Sequence, residues 1–208
     1  MDHQGFVPSP DWDNAENFDD KRAQPRVALL LRSAKLVGAR GEFLCIVRDV
    51  SESGVKLRLF HPLVDVEDLW LEIATGERFS IAKIWEKEGE AGFRFVDAID
   101  VERFIAEAGP HPKRPLRIEL AYPAILSCAG STFRATICDL SQQGAKIEAP
   151  QRLALGQSFR LESDILPEFD ATVRWRREPF YGLVFRQRMS MSEFAEHVRQ
   201  LQLSTSQD

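Results

Sequence analysis

Slid against itself by 90 residues, the chain meets a second copy of its own pattern. Asp49 falls on Asp139, Ser51 on Ser141, Gly54 on Gly144, Trp85 on Trp175, Gly92 on Gly182 and Phe95 on Phe185. The ungapped stretch from 42 to 104 holds 14 identities over 63 positions, where average composition gives roughly 4. Many other pairs are conservative, such as Val47 with Ile137 and Leu57 with Ile147. A period this long, present twice, describes two tandem domains and excludes a short-repeat solenoid.

The first copy spans about 21–108 and the second about 113–203, followed by a short tail, 204–208. Between them Gly109-Pro110-His111-Pro112 cannot continue a helix and reads as a short, stiff linker, 109–112. Ahead of the first copy, residues 1–20 hold six acids and no lysine or arginine, the composition of a disordered arm. The whole chain has 44% hydrophobic and 28% charged residues, an ordinary globular mix. No apolar run approaches the roughly 18 residues of a membrane span, and no basic-then-apolar leader opens the sequence. The expectation is a cytoplasmic protein without membrane insertion. A net charge of -5 disfavours a global grip on a nucleic acid polymer, though not a local basic site.

Within each copy the hydrophobic period is mostly two. Leu69, Leu71 and Ile73 alternate with other residues, as do Phe93 and Phe95, and turn signals such as Thr75-Gly76 separate the runs. Each copy then ends in a helical pattern. Asp100 caps Val101, Phe104 and Ile105; Ser190 and Glu193 form a capping box ahead of Met191, Phe194, Ala195 and Val198. The fold class is mainly β: two tandem small antiparallel β-barrels, each closed by a C-terminal α-helix. The last helix is expected to lid its own barrel, and Trp85 and Trp175 to lie in the cores. Cys45, Cys128 and Cys138 have no CxxC spacing and read as reduced thiols in apolar stretches. The four histidines are scattered, so no metal is expected. No nucleophile–base pair or phosphate-binding Gly-rich loop can be placed, so neither an enzyme nor a bound cofactor is expected.

Two local patterns carry chemistry. Arg22 and Arg26 stand four apart just before the first strand, and Asp49-Val50-Ser51-Glu52-Ser53-Gly54 links two strands. In the bland reading the first is solvated surface and the second an Asx turn with glycine at a positive φ. Together, in this order, with Gly92-Phe93-Arg94-Phe95 and a closing helix behind them, they resemble the PilZ family, bacterial receptors for cyclic di-GMP, over nearly all of 21–108. The family's marks are RxxxR before the first strand and [D/N]xSxxG some twenty residues on. The resemblance implies a tandem PilZ protein whose first copy binds the dinucleotide through Arg22, Arg26, Asp49, Ser51 and Gly54, with Lys21 at hand. In the second copy Asp139, Ser141 and Gly144 keep one motif, while Lys113-Arg114-Pro115-Leu116-Arg117 replaces the other and aligns only with one residue of slippage. That copy is either a weak second site (Lys113, Arg114, Arg117, Asp139, Ser141, Gly144) or a structural repeat.

The ligand's chemistry suits these side chains. Guanidinium groups fork onto phosphate oxygens or the guanine Hoogsteen edge, a carboxylate accepts from guanine N1–H and N2–H, and a hydroxyl donates to phosphate. The expected partners are cyclic di-GMP and an unidentified protein to which the signal passes, by ordering of the N-terminal arm or by a change between the barrels. The alternative is a ligand-free PilZ-like scaffold that works only through protein contacts. Asp19 and Asp20 abut Lys21 and Arg22, so the arm is either an inert tail or a weak stand-in for phosphate.

Overall fold

The alternating segments pair into two closed six-stranded barrels in a computed structural model that describes residues 27–63, 67–106 and 115–205. The first is built from β1 (Val27–Gly38), β2 (Gly41–Val50), β3 (Gly54–Leu59), β4 (Leu69–Glu72), β5 (Arg78–Lys87) and β6 (Glu90–Phe95). Helix α1 (Val101–Ala106) follows. The second barrel repeats the series as β7 (Ile118–Cys128), β8 (Ser131–Ser141), β9 (Gly144–Glu148), β10 (Ser158–Glu162), β11 (Phe169–Arg177) and β12 (Phe180–Phe185), ending in α2 (Met191–Thr205). Both barrels have the same neighbour order, β1-β2-β3-β6-β5-β4 and β7-β8-β9-β12-β11-β10, and every pairing is antiparallel. Closure removes the open sheet edges that so short a β-domain would otherwise expose.

Inward-facing residues at period two fill each barrel: Leu57, Leu71, Phe93 and Phe95 in the first, Ile147, Leu161, Leu183 and Phe185 in the second. Both helices start as their caps predict. Asp100 Oδ1 accepts from Arg103 N–H at 3.0 Å, and Ser190 and Glu193 exchange bonds of 2.7 and 3.2 Å between side chain and backbone. In α1, Phe104 is buried against Phe79 and Phe95, and Arg32 on β1 donates to the carbonyl of Ile105. Cys45 is fully buried, and burial pushes its thiol well above the ordinary range; Cys128 and Cys138 are only partly covered.

Helix α2 departs from the expectation of a private lid. Phe194, Ala195, Val198 and Leu201 do cover the second barrel, but Leu44 of β2 joins the same apolar cluster, and α2 packs on β2 as well as β7. Gly41, at φ +114°, lies so close to the Gln202 side chain that a Cβ there would displace the Gln202 amide. Gln202 Nε2 donates to Glu119 O at 3.3 Å, and buried Glu42 accepts from Glu119 N–H at 2.8 Å. Glu42 also receives Lys35 Nζ at 2.9 Å; the same ammonium reaches Glu72 at 2.8 Å, and Arg78 closes the cluster on Glu72 at 2.7 Å. The barrels are thus joined by an apolar helix and by a carboxylate that spans them.

Candidate ligand-binding site

The DxSxxG segments occupy the β2–β3 and β8–β9 connections. In the first, Ser51 N–H donates to Gly54 O at 2.8 Å, and the Ser51 hydroxyl accepts from Gly54 N–H at 3.1 Å. The loop is tied to the strand end by Phe95 N–H on Ser53 O and Ile99 N–H on Glu52 O, each 3.0 Å. The second loop repeats both ties, with Phe185 on Gln143 (2.8 Å) and Met189 on Gln142 (3.0 Å), and Ser141 donates to Gly144 O at 3.0 Å. Both serines are buried, so their hydroxyls shape the turn.

The glycines serve a different purpose from the one expected. Neither Gly54 nor Gly144 has a positive φ. Each lies where the partner strand's backbone comes too near for a side chain: a Cβ on Gly54 would stand 3.0 Å from Phe93 O, and one on Gly144 would overlap Leu183 O.

Strand register lines up the remaining groups. Ala28, Asp49, Lys56, Gly92 and Trp85 form one row across β1, β2, β3, β6 and β5. The matching row is Glu119, Asp139, Lys146, Gly182 and Trp175. The ladder shifts register just before Asp49 and Asp139, and again just before Trp85 and Trp175, and such bulges re-aim side chains. Contrary to the core expectation, Trp85 and Trp175 are 42% and 41% exposed. Each indole packs against its row glycine, where a Cβ would collide with the ring. A groove of about 160 Å³ runs between Asp49, Gly54, Lys56, Ile84, Trp85 and Gly92. Lys56 and Trp85 carried a signal in the sequence, since both are identical in the two copies; the exposed Ile84 carried none.

The slippage at the first motif now has a location. Ala28 faces Asp49 and Glu119 faces Asp139, an offset of 91, whereas Arg32 facing Val47 and Tyr122 facing Ile137 restore 90. The first strand of barrel 1 carries one more residue in its bulge. Two positions before the row therefore stand Arg26 in the first copy and Arg117 in the second. Arg117 binds Asp139, Nη1 to Oδ1, at 2.5 Å, and Asp139 Oδ1 also accepts from Lys146 N–H at 3.3 Å. Lys21, Arg22, Arg26, Lys113 and Arg114 lie outside the described residues. Val27, the first described residue, pairs with Val50, so β1 begins at the end of barrel 1 that carries the loop.

Residues 112–203 match the PilZ domain family. The second barrel is a PilZ domain. The first barrel shares its strand order, its loop bonds and its acid–glycine–tryptophan row with this PilZ domain. No curated protein matches the sequence. Among solved structures, the chain is similar to PlzA of Borreliella burgdorferi in complex with c-di-GMP (11% identity, 87% of this chain and 94% of that one, TM-score 0.35). It is also similar to the Bacillus subtilis inhibitor of motility MotI/DgrA (13%, 84% and 98%, TM-score 0.35). A third is Escherichia coli YcgR in complex with c-di-GMP (17%, 85% and 83%, TM-score 0.31). Among the described residues no helix is long and apolar enough to cross a membrane, and no cluster of three His, Cys, Asp or Glu side chains could hold a metal ion.

Proposed function

We propose that the protein is a cytoplasmic receptor for cyclic di-GMP that acts by binding, not by catalysis, and relays occupancy to a protein partner. The observation that carries this reading is the Arg117–Asp139 contact. It places the basic lead-in and the DxSxxG acid of one copy within bonding distance, and the equivalent pair in the first copy is Arg26 and Asp49. In that copy the whole motif set is present. Arg22 and Arg26, with Lys21 beside them, supply cations for the two phosphates and the guanine Hoogsteen edge. Asp49 reads the guanine N1–H and N2–H. Ser51 and Gly54 hold the loop close to the ligand, and Trp85 offers an exposed ring on which a purine stacks. No metal or prosthetic group enters the scheme.

Closing the basic lead-in over the ligand would order the arm that precedes β1. That is the simplest route by which occupancy reaches a partner. Calorimetric titration of the full chain with cyclic di-GMP tests the reading. Saturable heat is expected, reduced about tenfold or more in affinity by Arg26→Ala, the loss of one charge-assisted hydrogen bond. An unmodified chain that ignores the nucleotide at millimolar concentration would overturn it in favour of a ligand-free scaffold.

A further inference from the structure

The end of barrel 1 away from the DxSxxG loop is not filled by its own side chains. A cavity of about 380 Å³ lies there, with Leu36, Leu59 and Leu69 on the barrel side and Ala195 and Leu203 of α2 on the other. Small-molecule sites span roughly 300–1,000 Å³ and favour the seam between domains. Leu44 also lines the cavity and belongs to the apolar cluster of the second barrel, so both barrels share the wall. The groove beside Asp49 is a different place, at the far end of β2 from the β1–β2 turn.

Barrel 2 shows what closes such an end. Phe159 stands where barrel 1 has Leu69 and meets Phe133 edge-on at 6.3 Å, and Leu153, in the place of Leu63, is buried. Leu69 lacks that ring and Leu63 is only partly buried, so volume is left over in barrel 1.

The space is apolar inside and basic at its opening. Its charged lining groups are Arg40, which is exposed, and Arg199, whose guanidinium pairs with Glu196 at 2.7 Å. Among the described residues no carboxylate lines it. His61 lines it too, and its Nε2 is buried without a hydrogen-bond partner, with Glu196 Oε2 standing 3.5 Å away. Apolar cavities hold water poorly and take hydrocarbon. A guanidinium beside the opening selects an acid over an amine.

We infer that this cavity binds a medium-chain alkyl carboxylate, with its chain among the leucines and its head at Arg40. The inference goes beyond the cyclic di-GMP reading and does not rest on it. Because the walls belong to barrel 1 and to α2, occupancy fastens the joint between the barrels.

The experiment is calorimetric titration of the full chain with octanoate and decanoate, below their micelle-forming concentrations. Saturable binding is expected, tighter by about fourfold for each added methylene. Decanoate should also raise the thermal midpoint, since it binds the folded chain alone. Decanol and decyltrimethylammonium, which lack the acid, should bind about tenfold or more weakly than decanoate. Leu203→Trp fills the space and is expected to abolish binding. Arg40→Glu, at an exposed position, serves should that variant fold poorly: it is expected to weaken decanoate about tenfold or more and to leave decanol unchanged. Decanoate without saturable heat overturns the inference. So does decanoate binding that is unchanged in a cooperatively melting Leu203→Trp chain. Equal binding of decanol and decanoate, or an equal loss of both in Arg40→Glu, removes the acid head from the assignment and overturns it as stated.

Discussion

Replacing Glu42 should loosen the two barrels from one another. Its carboxylate accepts the Glu119 N–H of the second barrel at 2.8 Å and pairs with Lys35 at 2.9 Å, with both side chains buried. Removing one member of a buried ion pair typically costs about 3–5 kcal/mol, because a bare charge remains. Here Lys35 keeps Glu72 at 2.8 Å, so that full cost does not apply. What remains is one charge-assisted hydrogen bond and an orphaned amide, together about 3 kcal/mol for Glu42→Ala. At roughly 2–4 °C per kcal/mol for a chain of this size, the midpoint falls by about 6–12 °C. Glu42→Gln keeps an acceptor for the amide and should cost only about 1 kcal/mol. Differential scanning calorimetry measures both, and the alanine variant should also broaden or split the transition as the barrels uncouple. If Glu42→Ala melts with the wild type, or no lower than Glu42→Gln, the carboxylate does not hold the joint.

Two further outcomes are expected. Gly144→Ala drives a methyl into the Leu183 carbonyl and should destabilise by about 2–3 kcal/mol in denaturant titrations, whereas Gly54→Ala, with Phe93 O at 3.0 Å, should cost closer to 1 kcal/mol; the reverse order would refute close approach as the reason for these glycines. His61, just past β3, faces Glu196 of α2 at 3.5 Å, and His197 lies on α2 itself; burial lowers both imidazoles, offset for His61 by Glu196. The folded chain therefore binds these protons less readily than the unfolded one. Their stabilisation is complete above about pH 6.5 and is lost as pH falls through the lowered folded values. Glu196, held to about 2 chiefly by its hydrogen bond from Arg199, stays charged throughout. Thermal midpoints at pH 7.5 and 5.5 should differ less in His61→Gln than in the wild type; an unchanged difference would count against the assignment.

Much of this was legible in the residues themselves. Alternation and the 90-residue echo gave both barrels, because a half-buried strand must alternate and a duplicated domain must repeat its buried positions. Asp100 and Ser190-x-x-Glu193 gave the helix starts, because capping is a local matter. The indoles of Trp85 and Trp175 misled, since size and hydrophobicity indicate burial. The row glycines opposite them decide otherwise, and that pairing is visible only once register is known. The joint was hidden for a similar reason. Glu42, Lys35 and Gln202 look like surface residues in a local window, and only the docking of β2, β7 and α2 brings them together. The one-residue slippage between Arg26 and Arg117 resolved into a bulge, a feature with no local composition signal.

Helix α2 leaves its mark on how the duplication can be divided. Cutting the chain at the connector would not release two self-sufficient halves. The leading half would lose the cover over Leu44 and the amide that satisfies Glu42, leaving an oily, charged scar where its sibling had been seated. What began as two copies of one plan has become a single indivisible body, so a jolt to either barrel has a rigid strut through which to reach the other.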